Sequence, residues 1–400
     1  MSNKTAFEEH GDAARVPAGY LGITPPSGQL PPRGQRSWVD RPEQLEEAIA
    51  WLVQAPVVAI DAEFTSARSH MVSESTGPRL ALLQLAIDGQ CFVVDALRLH
   101  ELEPLNAVVA NPALLVLLHG AGADLRVMAE RGLKVAHYYD LEATSRSVFG
   151  QHESSLAAML QRAFNMRLDK SLQRTDWTRR PLPPAMVAYA ARDAEMTLAL
   201  YYWLQEHFAE ALRLHESTNL QEPVAAWIEP FLHGSLALPA EVVVAEAIKQ
   251  GSIRDQEQID ADCREALRAL THPMRKSRLL RLITDLSLVQ LIPDITPLLM
   301  AATADERAAA VRSLSRLGTE EVRELIPPLL QDPVYEVRKA AQTALRYSGQ
   351  KEPHEQRAIP ERRADGTRSW SVGENSSAIV SDEGGDDDWR ARLRSFLNEE

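Results

Sequence analysis

The chain reads as an α/β sheet domain followed by an all-α domain of helical repeats, and three observations carry that reading. First, Val57-Val-Ala-Ile-Asp-Ala-Glu-Phe64 is a short apolar run rich in β-branched residues, which suits a strand covered on both faces. Second, further apolar strand patterns alternate with helical ones as far as about His207. Third, a shift of 31 residues lays Pro328-Leu329-Leu330 on Pro297-Leu298-Leu299, Arg338 on Arg307, Ala340-Ala341 on Ala309-Ala310, Leu345 on Leu314 and Gly349 on Gly318.

The 400 residues are 45% hydrophobic and 25% charged, an ordinary globular composition with room for two or three domains. Cys91 and Cys263 are too few for a disulfide framework or a zinc cluster, and they point to reduced thiols in a cytoplasmic protein. No apolar run approaches membrane-spanning length, and the polar N-terminus lacks a signal-peptide core, so no membrane partner is expected. A net charge of −13 argues against broad electrostatic attraction to nucleic acid. Any such activity must rest on a local basic surface or on metal ions.

Residues 1–36 hold several Pro and Gly and no periodic apolar pattern, which predicts a disordered leader. Pro42, acids in the first turn and Leu45, Ala48, Ile49 and Leu52 at helical spacing predict a helix feeding the strand of Asp61. The polar stretch from Thr65 to Arg79 reads as a loop. Leu80 to Ile87 and Cys91 to Leu97, joined through Asp88-Gly89, read as a hairpin, giving an antiparallel meander of three strands. A helix at Pro104 to Val109 precedes a strand at Leu114 to Leu118. The glycine-bearing turn that follows swings the chain into a helix from Asp124 to Arg131. A short strand near Val135 to Asp140, helices from Leu141 and an amphipathic helix from Pro184 to His207 complete the mixed sheet and its cover.

Four acids and a tyrosine stand out within this frame. Side chains on a strand alternate sides, so Asp61 and Glu63 project from one face at the end of the run. Two carboxylates there invite a hard divalent cation, although acid pairs at strand ends are also common and solvated. Asp124 lies just past another strand end, where the helix dipole favours an anion; it equally reads as a helix cap. Tyr189 and Asp193, four apart, share one helical face, with Asp193 either serving a partner or lying on the surface against Arg192 or Arg162. Between Gln161 and Arg192 there are seven Lys or Arg against two acids, with Trp177 among them. That is what a phosphate backbone and a stacked base require, or else a solvated loop with Trp177 in the core.

Together Asp61-x-Glu63, Asp124 and Tyr189-x-x-x-Asp193 are far more specific than any part. With Asp61-Ala-Glu63-Phe64, Pro78-Arg79-Leu80-x-Leu82-x-Gln84-Leu85, His119-x-x-x-x-Asp124-Leu125, Lys170-Ser-x-Gln173-x-x-Asp176-Trp177 and Arg180-Pro181-Leu182 in the same order, residues 37–211 resemble the DEDD 3′→5′ exonuclease superfamily, tyrosine subtype, and within it the ribonuclease D family. The Lys170 to Leu182 run points to that family over polymerase proofreading domains. The resemblance implies a ribonuclease H-like mixed sheet and two divalent ions, Mg²⁺ or Mn²⁺, seated by Asp61, Glu63, Asp124 and Asp193. It assigns Asp61, Glu63 and Asp193 to the ion on the nucleophile side. Asp61 then bridges to the second ion, and Asp124 holds that ion through water. Tyr189 orients the attacking water, and the products are nucleoside 5′-monophosphates released from a 3′ end. Phe64, Gln84, His119, Lys170, Gln173, Trp177 and Arg180 are the implied substrate-binding residues, with His119 also reading as a turn or packing residue. Four carboxylates in one cleft repel one another unless cations neutralise them, which agrees with the metal expectation. The 65–78 loop runs longer than the family pattern, and it bears on substrate shape and access of the 3′ end.

The family's usual C-terminal module is not recognisable. The Asp332-Pro333-x-x-x-Val337-Arg338-x-Ala340-Ala341 stretch instead resembles a HEAT-type repeat, and a weaker copy around Leu267, Lys276 and Ile283 gives about three units over 255–349. Six basic residues between Arg264 and Arg281 read as a nucleic-acid flank or as solvated helix faces. Residues 212–254 read as a helical connector, and 350–400 as a disordered acidic tail. Trp389, Leu393, Phe396 and Leu397 lie on one helical face at its end and offer a protein-docking peptide. The expected protein is an RNA-processing exoribonuclease acting on single-stranded 3′ ends; RNA is the more expected polymer, and no motif of the sequence separates it from DNA. The repeats or tail are left for a protein partner. A DNA exonuclease with the same site and a non-catalytic scaffold displaying the repeats are the rival readings.

Overall fold

The computed structural model describes residues 27–30, 32, 34–65, 78–168, 172, 175–233, 239–318 and 323–347. The expected tail, the long loop after Thr65 and most of the expected leader lie outside the described residues. β1 (Gln35–Val39), β2 (Val57–Phe64), β3 (Leu80–Ile87), β4 (Gln90–Asp95), β5 (Leu115–Leu118) and β6 (Tyr138–Asp140) form one sheet in the order β1-β4-β3-β2-β5-β6. The run β2-β3-β4 is antiparallel, while β1-β4, β2-β5 and β5-β6 are parallel. β1 corrects the expected leader, because Gln35 and Arg36 already belong to the sheet. Arg36 is fixed there by a two-pronged bond of 2.7 Å and 2.7 Å to Glu195.

Alternation along β2 divides the core. Val58, Ile60 and Ala62 face the side covered by α1 (Pro42–Leu52), α2 (Asn106–Val109) and α3 (Gly122–Ala129). Val57 and Ala59 face α4 (Leu141–Phe149), α5 (Leu156–Phe164) and α6 (Pro184–Leu214). By the same period Asp61 and Glu63 fall on the α6 side. β2 is buried through Ile60, and beyond it Asp61, Glu63 and Phe64 are partly exposed while Ala62 stays buried, so the acids stand where the strand emerges from the core.

The second half is helical, with α7 (Glu229–His233), α8 (Ala240–Lys249), α9 (Gln256–Ala269), α10 (Pro273–Asp285), α11 (Ile292–Ile295), α12 (Ala304–Leu317) and α13 (Tyr335–Tyr347). Ile228, Leu232, Val244 and Ile253 of the expected connector are buried in the core of this half. The 31-residue period of the sequence is present in the elements. Short 3₁₀ turns occupy Thr296–Met300 and Pro327–Gln331, and the helices after them begin at Ala304 and Tyr335. Equivalent arginines close equivalent turns. Arg307 donates to the Ala301 and Ala302 carbonyls at 3.0 Å and 3.0 Å, and Arg338 to those of Asp332 and Pro333 at 2.6 Å and 2.7 Å.

The two halves meet along α4 and the turn after it. Ser147 Oγ donates to Asp305 Oδ2 at 2.6 Å, and the Gln151 amide donates to Glu336 Oε1 at 3.0 Å. Gly150 has φ of 91°, and a Cβ there would lie 2.5 Å from Glu336 Oε2, so only glycine admits this approach. Nearby, the buried rings of His215 and His272 stand edge to face at 5.2 Å.

Candidate active site

Asp61, Glu63 and Asp193 come together. A carboxylate oxygen from each lies within 4.8 Å of the other two, a spacing that suits one small cation. The strand supplies the first pair and α6 the third. α6 also places Tyr189 one turn earlier, close enough for its hydroxyl and the Asp193 carboxylate to influence each other's ionisation. Asp193 Oδ1 is buried without a partner. Asp124 is 7% exposed in the first turn of α3 and close enough to Asp61 for the two charges to oppose each other. It is not the cap of that helix, since the N-cap is Ala121.

Burial and mutual repulsion hold all four acids above the ordinary carboxylate range. Asp61 is pushed up to about 7 by desolvation and then by Asp124, against a backbone bond from Ala62. Glu63 rises to about 9 through desolvation and the charges of Asp61, Asp193 and Asp124. Desolvation with Asp140 raises Asp124 to about 7; desolvation with Asp61 raises Asp193 to about 7, with Tyr189 and Arg192 opposing. Among the described residues none of the four makes an ion pair. An orphaned buried oxygen and an all-carboxylate donor set fit hard divalent cations.

The expected substrate contacts divide. Gln84 is fully buried and is the register partner of Asp61. With its amide nitrogen turned toward that strand it donates to the Asp61 carbonyl at 2.7 Å and to Oδ2 at 3.3 Å. It thus braces the Asp61 carboxylate from within the sheet, and it is not exposed for contact with a substrate. Trp177 is 3% exposed and lies against Tyr189, centroids 6.2 Å apart, so the core reading of this residue holds and the stacking reading does not. Arg180 is also turned inward. It grips Asp95 at 2.6 Å and 2.7 Å and donates to the Trp177, Arg179 and Ala81 carbonyls, which pins the 175–182 segment to the end of β4. His119 is half-buried and reaches the Ser154 carbonyl at 3.1 Å. Phe64 packs partly on the α1–α3 side, past a bulge that follows Glu63. Lys170 and Gln173 lie outside the described residues. Of the basic tract, Arg162 pairs with Glu153 and covers the Phe149 ring at 4.4 Å, while Arg167 and Arg179 stay exposed. Of the six basic residues of Arg264 to Arg281, Arg275 and Lys276 are covered and paired with Glu229 and Glu306, Arg278 bonds the Leu232 carbonyl, Arg264 pairs with Asp294, and Arg268 and Arg281 lie on exposed helix faces beside Asp294 and Asp285.

Two acids escaped sequence reasoning. Asp95 is fully buried at the end of β4, and an acid inside an apolar strand was the available signal. Asp140 ends β6 and caps α4, accepting from the Glu142 and Ala143 amides.

Residues 37–209 match the family model described as 3′-5′ exonuclease. Among curated proteins the chain is similar to the Exosome complex component 10 homolog of Drosophila melanogaster, 32% identical over 165 residues, 41% of this chain and 18% of that protein. It is 31% identical over 189 residues to the Exosome complex exonuclease RRP6 of Saccharomyces cerevisiae, 46% of this chain and 25% of that one. It is also 30% identical over 158 residues to Ribonuclease D of Haemophilus influenzae, 39% of this chain and 38% of that one. The chain thus spans well under half the length of these relatives. It carries a 3′-5′ exonuclease domain, and the acidic cluster lies within it.

Proposed function

We propose that the protein is a 3′→5′ exoribonuclease of the ribonuclease D type, releasing nucleoside 5′-monophosphates from single-stranded RNA ends. The observation that carries this is the convergence of three carboxylates within 4.8 Å beside a fourth acid and a tyrosine hydroxyl, inside an exonuclease domain. The names of similar proteins, an exosome exonuclease and a ribonuclease D, favour RNA over DNA. Asp61, Glu63 and Asp193 would hold one divalent ion, Mg²⁺ or Mn²⁺, and Asp61 with Asp124 a second. When bound, such ions supply Lewis-acid polarisation of the phosphate and a lowered pKa for water. The chain's own residues prepare that chemistry. Gln84 fixes Asp61 from behind, and Trp177 backs the Tyr189 ring so that its hydroxyl is presented toward Asp193. There the hydroxyl can accept or donate a hydrogen bond to an attacking water and set its line of approach. The helical half is read as a HEAT-type array with its outer surface left for a protein partner, in a cytoplasmic RNA-processing enzyme.

The deciding experiment incubates the full chain with 5′-labelled single-stranded RNA and DNA in Mg²⁺ or Mn²⁺, beside Asp61→Ala. The expected result is a ladder shortening from the RNA 3′ end, lost in the variant and after chelation. Shortening of DNA alone would move the reading to a DNA exonuclease, and no degradation of either would leave a scaffold.

A further inference from the structure

The carboxylate of Asp140 serves two elements at once. Its Oδ1 accepts from the amides of Glu142 at 3.0 Å and Ala143 at 3.3 Å, which caps α4. The same oxygen accepts from Gly120 at 2.9 Å, and Oδ2 accepts from Ala121 at 3.2 Å. Gly120 and Ala121 carry the chain from β5 into α3, and Asp124 follows in the first turn of that helix. Leu118 and Asp140 are register partners in the parallel β5-β6 pair, so the carboxylate starts from a fixed point on the sheet beside this turn. The turn has little slack. Gly120 has φ of 79°, and a Cβ there would come within 2.8 Å of Glu142 Oε2. The N-cap of α3, Ala121, has no side-chain acceptor of its own, and its amide and that of Gly120 before it are met from outside by Asp140.

Capping α4 does not require a charge, because Ser and Asn cap as well as Asp. The charge of Asp140 even works against ionisation of Asp124. What it adds over a neutral cap is a pair of charge-assisted bonds to the turn, which are shorter and stronger than neutral ones.

We propose that Asp140 is a positioning residue of the exonuclease site, clamping the Gly120–Gly122 turn so that Asp124 stands toward Asp61. This rests on the exoribonuclease reading above, and the test separates the two. Asp140→Asn keeps an oxygen for α4 and Gly120 but sets an amide N–H against that of Ala121. Asp140→Ser keeps the α4 cap and is too short to reach the turn. Each full-length variant is assayed on single-stranded RNA with Mg²⁺ and is titrated with Mn²⁺, without RNA, by electron paramagnetic resonance. Both variants should melt cooperatively within a few degrees of wild type and keep the KM for RNA. Their kcat should fall about ten- to hundredfold, and half-occupancy should need more Mn²⁺. Wild-type kcat and Mn²⁺ affinity in Asp140→Asn would overturn the proposal. So would loss of cooperative melting in both variants, because the residue would then be holding the fold. If the wild-type chain does not degrade RNA, it is the exoribonuclease reading that fails, and the Mn²⁺ titration alone decides the role of Asp140.

Discussion

In the helical half, Arg307 and Asp332 are 4% and 6% exposed and face each other through bonds of 2.7 Å and 3.0 Å. In the sheet half, Asp61, Glu63 and Asp193 crowd together, with Asp124 near enough to Asp61 to oppose its charge, and none of the four has an ion pair among the described residues. Both arrangements take charge out of water, which is strongly unfavourable without compensation. Arg307 and Asp332 compensate each other, and the guanidinium also satisfies two carbonyls of its turn. The four carboxylates do not compensate one another, and burial with repulsion from neighbouring acids raises the pKa of each instead. The chain completes its own electrostatics where helices stack, and leaves them incomplete where, under the proposed function, a cation and a phosphate enter.

Asp61→Ala is the sharpest way to break this contrast. RNA trimming should fall on the order of 10³-fold or more. The melting temperature in EDTA should stay the same or rise, because one of several repelling groups has gone. Arg307→Ala should do the reverse. It strands Asp332 without a partner, and urea unfolding should report a loss of about 3–5 kcal/mol. RNA turnover per folded molecule should not change. Combining Arg307→Met with Asp332→Leu should recover most of that loss, since a buried ion pair replaced by apolar groups is often nearly neutral. If Arg307→Ala slowed turnover while leaving stability alone, the contrast between the halves would be wrong.

The same contrast explains what could be read in advance. β2 and its acids were legible because the period of two is local, and Tyr189 with Asp193 because helical spacing is local too. β1 was missed: Gln35 to Val39 is short and polar at its start, and it becomes a strand only because β4 lies beside it. The direction in which a side chain points across the sheet is not local. Trp177 and Arg180 sit in a basic tract that resembles a phosphate-binding strip, yet one is core and the other is consumed by Asp95, 85 residues earlier in the chain. Asp140 was hidden for the same reason, since its partners at Gly120 and Ala121 lie in the turn that follows the neighbouring strand.

A smaller effect is expected from Tyr189→Phe, which keeps the ring against Trp177 and removes only the hydroxyl facing Asp193. Stability should hold, and kcat should fall by about 10²-fold, the size of effect that a misplaced reactant produces. An unchanged kcat would leave the four acids as the whole of the site and take the tyrosine out of it.

The smallest effect is one of pH, and it sets the two regions against each other. In the cation-free chain Asp61, Asp124 and Asp193 titrate at about 7 and Glu63 at about 9. These folded values lie above the unfolded ones of about 4, so the folded state binds more protons in between. That stabilisation is complete below about pH 4 and is lost as pH rises through 7 and then 9. At the joint between the halves the sign is opposite. Burial lowers both rings, with positive charge adding to it at His215, and with Glu222 opposing and Arg275 and Arg278 adding at His272, so they stay neutral down to about 3 and about 4. Their contribution is complete above the unfolded value of about 6.5 and is lost as pH falls toward 4. In EDTA the urea midpoint should therefore decline toward both acid and alkali. Saturating Mg²⁺ holds the four carboxylates ionised, so it should flatten the alkaline decline and leave the acid one untouched. An alkaline decline that persists in Mg²⁺ would mean that the cation does not reach these carboxylates.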